Sequence, residues 1–150
     1  MKIAVASDHA GIDLKLPMLE VLKKRGVEFT DFGTFDHEST DYPNWGELVG
    51  EKVASGEYEK GLLFCGTGVG ISLAANKVKG VRAVVCSDTF TAKMSREHNN
   101  SNVLSMGARV VGIGLGEEIL TAWLEADFEE GGRHQRRVDM LTAIEDKNFK

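Results

Sequence analysis

A chain of 150 residues, 42% hydrophobic and 27% charged, is long enough to bury a core and is expected to form one domain over residues 1–150. Its formal net charge of −5 argues against a general nucleic-acid or acidic-membrane surface, although a local basic pocket can still take a small anion. No apolar run approaches the roughly 20 residues of a membrane span, and the two cysteines, Cys65 and Cys86, form no CxxC pair or disulfide framework, which points to a reducing cytoplasm.

The opening stretch MKIAVASDHAG carries a short apolar run that ends at Asp8. It is too brief for a secretory segment and reads as a first strand, Lys2–Ala6. Leu14, Met18, Leu19 and Leu22 then recur at helical spacing up to Arg25-Gly26, with Pro17 inside the stretch, so that helix is expected to kink or to start late. A second strand is expected at Val27–Asp31, and Trp45, Leu48, Val49 and Val53 form the next helical stripe, closing at Ser55-Gly56. A third strand, Gly61–Phe64, leads into a glycine-rich loop and a helix carrying Ile71, Leu73, Ala74 and Ala75. Strands at Arg82–Cys86 and Val103–Met106 follow, each with a helix behind it, after Asp88-Thr89 and around Ile119–Leu124. The strands are short and continuously apolar, as in parallel sheets covered on both faces. This alternation predicts an α/β fold, a doubly wound sandwich. The charged tail beginning near Gly132 is expected to be an extra C-terminal helix, of the kind often packed against a second subunit.

Ligands of open α/β sheets bind beyond the carboxyl ends of the strands, where strand order reverses. For an order of 2-1-3-4-5 that point lies between strands 1 and 3, whose ends carry Ser7-Asp8-His9 and Cys65-Gly66-Thr67. Gly66, Gly68 and Gly70 spell G-x-G-x-G, which is neither a dinucleotide fingerprint nor a Walker loop. Glycines there let backbone N–H groups approach a phosphate or a developing oxyanion; otherwise they make a tight strand-to-helix turn. Asp88, after the fourth strand, keeps a nucleotide reading open as a ribose-binding acid. Cys65, at a strand end facing a helix N-terminus, is a candidate thiolate base or nucleophile, whereas Cys86 reads as a small buried hydrophobe. Asp8 and His9 can handle protons or hold a polar ligand, or Asp8 can cap the next helix. His98, in the polar run REHNNSN, is a candidate acid or base or a solvated helix-end histidine; His37 reads as surface. No histidine pair has zinc spacing, so no metal is expected. Arg133 and Arg137 stand four apart on one helix face and can grip a phosphate, or form a solvated basic face.

SDHAG (7–11), DYP (41–43), CGTGVGISLAANK (65–77), REHNNSNVLSMGARVVG (96–112) and GGRHQRRV (131–138) together resemble the type B ribose-5-phosphate isomerases, a family that includes the galactose-6-phosphate isomerase subunits. The resemblance runs in the same order over nearly the whole chain. It implies interconversion of ribose 5-phosphate and ribulose 5-phosphate with no cofactor and no metal. It also implies a single-domain, Rossmann-like three-layer sandwich with a five-stranded parallel sheet, and a homodimer, or a dimer of dimers, whose sites are built from two subunits. Cys65 matches the base that moves a proton between C2 and C1, and Thr67 the hydroxyl that assists at the sugar oxygens. Gly66, Gly68, Val69 and Gly70 match the loop whose amides stabilise the enediolate. His98, supplied by the partner subunit, matches the acid that helps open the ring, with Asp8 on the other side of the sugar. His9, Arg133 and Arg137 match phosphate contacts, Tyr42 a tyrosine lining the sugar pocket, and Asn99 and Arg109 further substrate contacts. Some relatives carry serine at the cysteine position and a carboxylate along the loop helix; Cys65 together with Ala75 indicates the thiol branch. Pro17 and the acidic pair Glu129-Glu130 depart from the family pattern but touch no motif. Other sugar phosphates (galactose 6-phosphate, allose 6-phosphate, a tetrose phosphate) remain as substrates, with residues around Phe90, Met94 and Asn99 setting sugar length, and a non-catalytic flavodoxin-like phosphate-binding module is the reading from a different class.

Overall fold

The computed structural model describes residues 1–149. Five strands, β1 (Lys2–Ser7), β2 (Glu28–Asp31), β3 (Lys60–Cys65), β4 (Ala83–Val85) and β5 (Val103–Gly107), form one parallel sheet. Helices α1 (Ile12–Lys24), α2 (Tyr42–Ala54), α3 (Val69–Ala75), α4 (Thr89–Asn99) and α5 (Ile113–Glu125) alternate with them, and α6 (Arg133–Asn148) follows. The α/β sandwich is therefore as expected.

The strand order is not. It runs β2-β1-β3-β5-β4, so β5 slots between β3 and β4 rather than closing the edge. Burial explains the swap. Every residue of β5 is buried, and Val103, Leu104 and Met106 are fully so, which suits an interior position. β4 has only three residues, none of them buried, and a short strand is what an exposed edge tolerates. The reversal between β1 and β3 survives the correction, because β1 still pairs with β2 on one side and β3 on the other.

Side-chain alternation divides the core in two. Ile3, Val5, Leu62, Phe64, Leu104 and Met106 face α1 and α5, where Met18, Leu22 and Trp123 fill the layer. Ala4, Ala6, Leu63, Cys65 and Val103 face the other way, against Val49, Val53, Ile71 and Ala75 of α2 and α3. Burying one such Leu or Ile side chain contributes about 1.5–3 kcal/mol. Leu73 is 58% exposed and does not join this layer, contrary to the periodicity; the seven-residue α3 turns only Ile71, Ser72 and Ala75 inward.

α1 begins at Ile12 and runs through Pro17 without a late start. Proline removes the N–H that the Asp13 carbonyl would accept, at a cost of about 3 kcal/mol in a helix interior. Burial of Ile12, Leu14, Met18 and Leu22 offsets it. α6 lies outside the sheet, as expected, with only Val138 buried and with Met140, Leu141 and Ile144 exposed. Its C-terminal half is pinned by Lys79–Asp146 (2.8 Å) and by the Gly80 N–H donating to Glu145 (2.8 Å). Among the described residues no helix is long and apolar enough to cross a membrane.

Candidate active site

β1 and β3 end side by side, with Ser7 opposite Phe64, and the Asp8 N–H extends the pairing by donating to the Phe64 carbonyl (3.2 Å). The two segments that leave these strands line a pocket of about 300 Å³. From the β1–α1 turn come Asp8, His9 and Ala10; from the loop after β3 come Cys65, Gly66, Thr67 and Gly70. Tyr42 at the start of α2 and Arg109 after β5 complete it.

The Asp8 carboxylate is buried, and its Oδ1 accepts from the N–H groups of Ala10 and Gly11 (both 3.0 Å). It is not the N-cap of α1, which is Gly11. It fixes the turn while the side chain still borders the pocket. His9 Nδ1 accepts from the Thr40 N–H (3.1 Å), so a neutral His9 imidazole carries its proton on Nε2. Thr40 is itself held by Trp45 Nε1, which donates to its hydroxyl (2.7 Å).

Cys65 is 5% exposed, and the Gly68 N–H donates to its Sγ (3.0 Å). Such a bond is stronger to a thiolate than to a thiol. Gly68 has φ of +83°, a conformation that favours glycine, and a Cβ there would lie 2.9 Å from the Met106 carbonyl carbon. Opposite it, a Cβ on Gly107 would meet the Thr67 backbone at 2.5 Å. Two glycines thus let the loop lie directly on the end of β5. Ala108 N–H to the Cys65 carbonyl (2.9 Å) and Arg109 N–H to the Gly66 carbonyl (3.0 Å) fasten it there. Gly66 and Thr67 line the pocket, and no described residue accepts from their N–H groups. Gly70, in the first turn of α3, has an N–H that the helix leaves unused. The Tyr42 ring packs over Gly70, and the exposed Thr67 hydroxyl accepts from the Val69 N–H (3.2 Å). The pocket therefore pairs one sulfur with a row of free amide donors.

Cys86 is a different kind of cysteine. Burial, then the nearby Asp88 carboxylate, push its thiol up to about 11, and it packs among the core residues of the α1–α5 face. Asp88 itself caps α4, accepting from the Thr91 N–H (2.7 Å). His37, exposed, pairs with Asp13 (2.9 Å).

Four of the residues singled out by sequence lie elsewhere in this chain. His98, near the end of α4, stacks on His134 of α6, with ring centroids 4.1 Å apart and planes 11° apart. The two borders a small acidic recess with Glu97, Asp127 and Glu129. Desolvation, then the neighbouring His98, Arg133 and Arg137, lower the His134 pKa. Asn99 lines a separate groove with Arg82 and Leu141. Arg133 and Arg137 project from α6 into solvent. Sequence reasoning missed Thr40, Gly107 and Ser105, which hold the pocket's parts. A glycine at the end of an apolar strand was the available signal for Gly107, and a serine inside VLSMG the signal for Ser105.

A Rossmann-like α/β chain with a thiol and free amides at its strand switch point belongs, by class, with enzymes that bind small anionic substrates there. The family model for ribose/galactose isomerases matches residues 3–141, and the chain belongs to that family. It is 53% identical over 146 residues to ribose-5-phosphate isomerase B of Escherichia coli, covering 97% of each chain. It superimposes on a ribose-5-phosphate isomerase B of Clostridium thermocellum with a TM-score of 0.95 at 53% identity, over 98% of this chain and 99% of that one. A Mycoplasma genitalium ribose-5-phosphate isomerase B with bound ribulose-5-phosphate matches with a TM-score of 0.93 at 41% identity, over 98% of this chain and 97% of that one.

Proposed function

We propose that this chain is a cytoplasmic aldose–ketose isomerase, one domain over residues 1–150, that interconverts D-ribose 5-phosphate and D-ribulose 5-phosphate. The observation that carries the reading is the Gly68 N–H on Cys65 Sγ beside the unpaired amides of Gly66 and Thr67. A base and an oxyanion cradle in one pocket are what proton transfer next to a carbonyl requires.

In the open-chain aldose, the Cys65 thiolate removes the proton on C2. The electron pair forms the C1–C2 double bond, and the C1 carbonyl electrons move to O1, giving a cis-enediolate whose charge the loop amides stabilise. Thr67 assists proton movement from O2 to O1. The electrons on O2 then re-form a carbonyl at C2 as the Cys65 thiol returns its proton to C1. Every proton is conserved, and neither oxidant nor metal is needed. Asp8 and His98 act earlier, in ring opening, and Tyr42, Asn99 and Arg109 orient the sugar. His9 offers its Nε2–H to the phosphate together with Arg133 and Arg137, and that anchor's binding energy aligns the reacting carbons.

In one chain, His98, Asn99, Arg133 and Arg137 do not border the Cys65 pocket. We infer that a second copy supplies them, so that the working unit is a homodimer or a dimer of dimers. The exposed Met140, Leu141 and Ile144 on α6 support this. A second substrate reading, another sugar phosphate, is favoured by the family description, which names galactose beside ribose.

The test is ketose formation from a panel of pentose, hexose and tetrose phosphates with EDTA present. Turnover of ribose 5-phosphate alone supports the main reading. Turnover confined to another sugar phosphate moves the assignment to that sugar, and no turnover of any removes the enzyme reading.

A further inference from the structure

Ser105 occupies the middle of β5 at a position that alternation assigns to the apolar face shared by Leu63, Cys65 and Val103. It is fully buried, and a hydroxyl so placed costs free energy unless it is bonded. Its Oγ donates to the Gly68 carbonyl at 2.7 Å, across 37 residues of sequence. The same Gly68 donates its N–H to Cys65 Sγ. Both polar groups of one left-handed glycine are therefore engaged, one by a strand and one by the sulfur. Released from Ser105, the Gly68 backbone could turn at little steric cost, because glycine has no Cβ to restrict it.

We propose that Ser105 is a positioning residue that holds the Gly68 peptide so that its N–H stays on the Cys65 sulfur and the neighbouring amides stay turned into the pocket. The proposal deepens the isomerase reading and rests on it for its kinetic arm only. Ser105 touches no substrate; it acts through Gly68. The other groups that face Cys65 are Asp8 and His9 from the β1–α1 turn, the Tyr42 phenol from α2 and Arg109 from the segment after β5, while α3 brings no charge. None of them bonds to Ser105, so removing its hydroxyl leaves them as they are.

The experiment compares the full-length protein with Ser105→Ala, Ser105→Thr and Ser105→Val. Thr and Val have the same shape and differ by the hydroxyl, which separates loss of the bond from loss of packing. Alkylation of Cys65 by iodoacetamide is followed at one neutral pH by mass spectrometry of the Cys65 peptide; Cys86, buried with its thiol raised to about 11, stays unlabelled. Ala and Val are expected to slow Cys65 labelling about tenfold and to lower kcat about tenfold with KM within about twofold, and Thr to restore both to within about threefold. Unchanged labelling in Ala and Val, or a fall in kcat that Thr shares with Val, overturns the proposal. If Ser105→Ala does not fold, the Thr/Val pair alone decides. A wild-type protein inactive on every sugar phosphate would defeat the isomerase reading, and the labelling arm would still judge Ser105.

Discussion

The imidazoles of His98 and His134 lie face to face, 4.1 Å between centroids, on the α4–α6 side of the molecule and away from the pocket that holds Cys65. A residue assigned to catalysis is thus parked where its own chain has no thiol. The shared-site reading makes a sharp forecast from this.

Cys65→Ala and His98→Ala are each expected to lower kcat about 10³-fold or more, with Cys65→Ala still binding ribose 5-phosphate. Mixed after unfolding and refolding together, they should recover activity, because half of the random dimers carry one intact site; about a quarter of wild-type turnover is the ceiling. Recovery shows in a simple initial-rate assay of the mixture. Complete inactivity of the refolded mixture would put His98 back in its own chain or outside the site.

Arg137→Ala should raise KM for the sugar phosphate about tenfold or more while changing kcat less, since on the proposed reading it removes a charge-assisted contact to the non-reacting phosphate. Arg133→Ala should behave alike. The measurement is a Michaelis curve at fixed ionic strength, and an unchanged KM removes the α6 arginines from the anchor.

His134 gives a prediction about pH. Its pKa in the folded protein lies below 6.5, its ordinary value, through desolvation first and His98 next. The unfolded chain therefore takes the proton first on acidification. The stability that neutral His134 contributes is fully present above 6.5 and is lost as pH falls through that value toward the folded one. His98→Ala removes one of the depressing neighbours, so the His134 titration followed by NMR should move upward. A downward move or none would contradict the stacking as a cause.

Gly107→Ala should damage both stability and turnover, because its Cβ would sit 2.5 Å from the Thr67 backbone and the loop would have to lift off β5. A loss of about 2 kcal/mol or more in a denaturant titration is expected. Gly114 is the control: nothing lies within 4 Å of a Cβ there, it is in α5, and alanine should be neutral or stabilising by up to about 1 kcal/mol.

Much of this architecture is readable from local chemistry. Apolar runs such as KIAVA and GLLF specify strands because both faces of a parallel sheet are covered, and Cys65 with Gly66, Gly68 and Gly70 stands out as too polar and too flexible for core. The β1–β3 switch point rests on supposing an order of 2-1-3-4-5, of which the fold keeps the part that matters, β2-β1-β3. What escaped was non-local. Nothing within VLSMG or RAVVC says which of two similar apolar strands reaches the interior; that depends on burial summed over both faces. Leu73 fits a helical period that a seven-residue helix is too short to honour. Ser105 and Thr40 look like ordinary polar residues until the fold sets them beside Gly68 and His9.

The strand order also bears on how the chain is made. β3 emerges from the ribosome with its final neighbour on one side, β5, still unsynthesised, and β4 arrives first with no right to that place. Until Val103–Gly107 inserts, the edge of β3 is open, and the floor beneath Thr67 does not exist. The thiol loop therefore cannot be completed before one five-residue strand is in place. A nascent chain stalled before Gly107 would hold the cysteine but not the cradle.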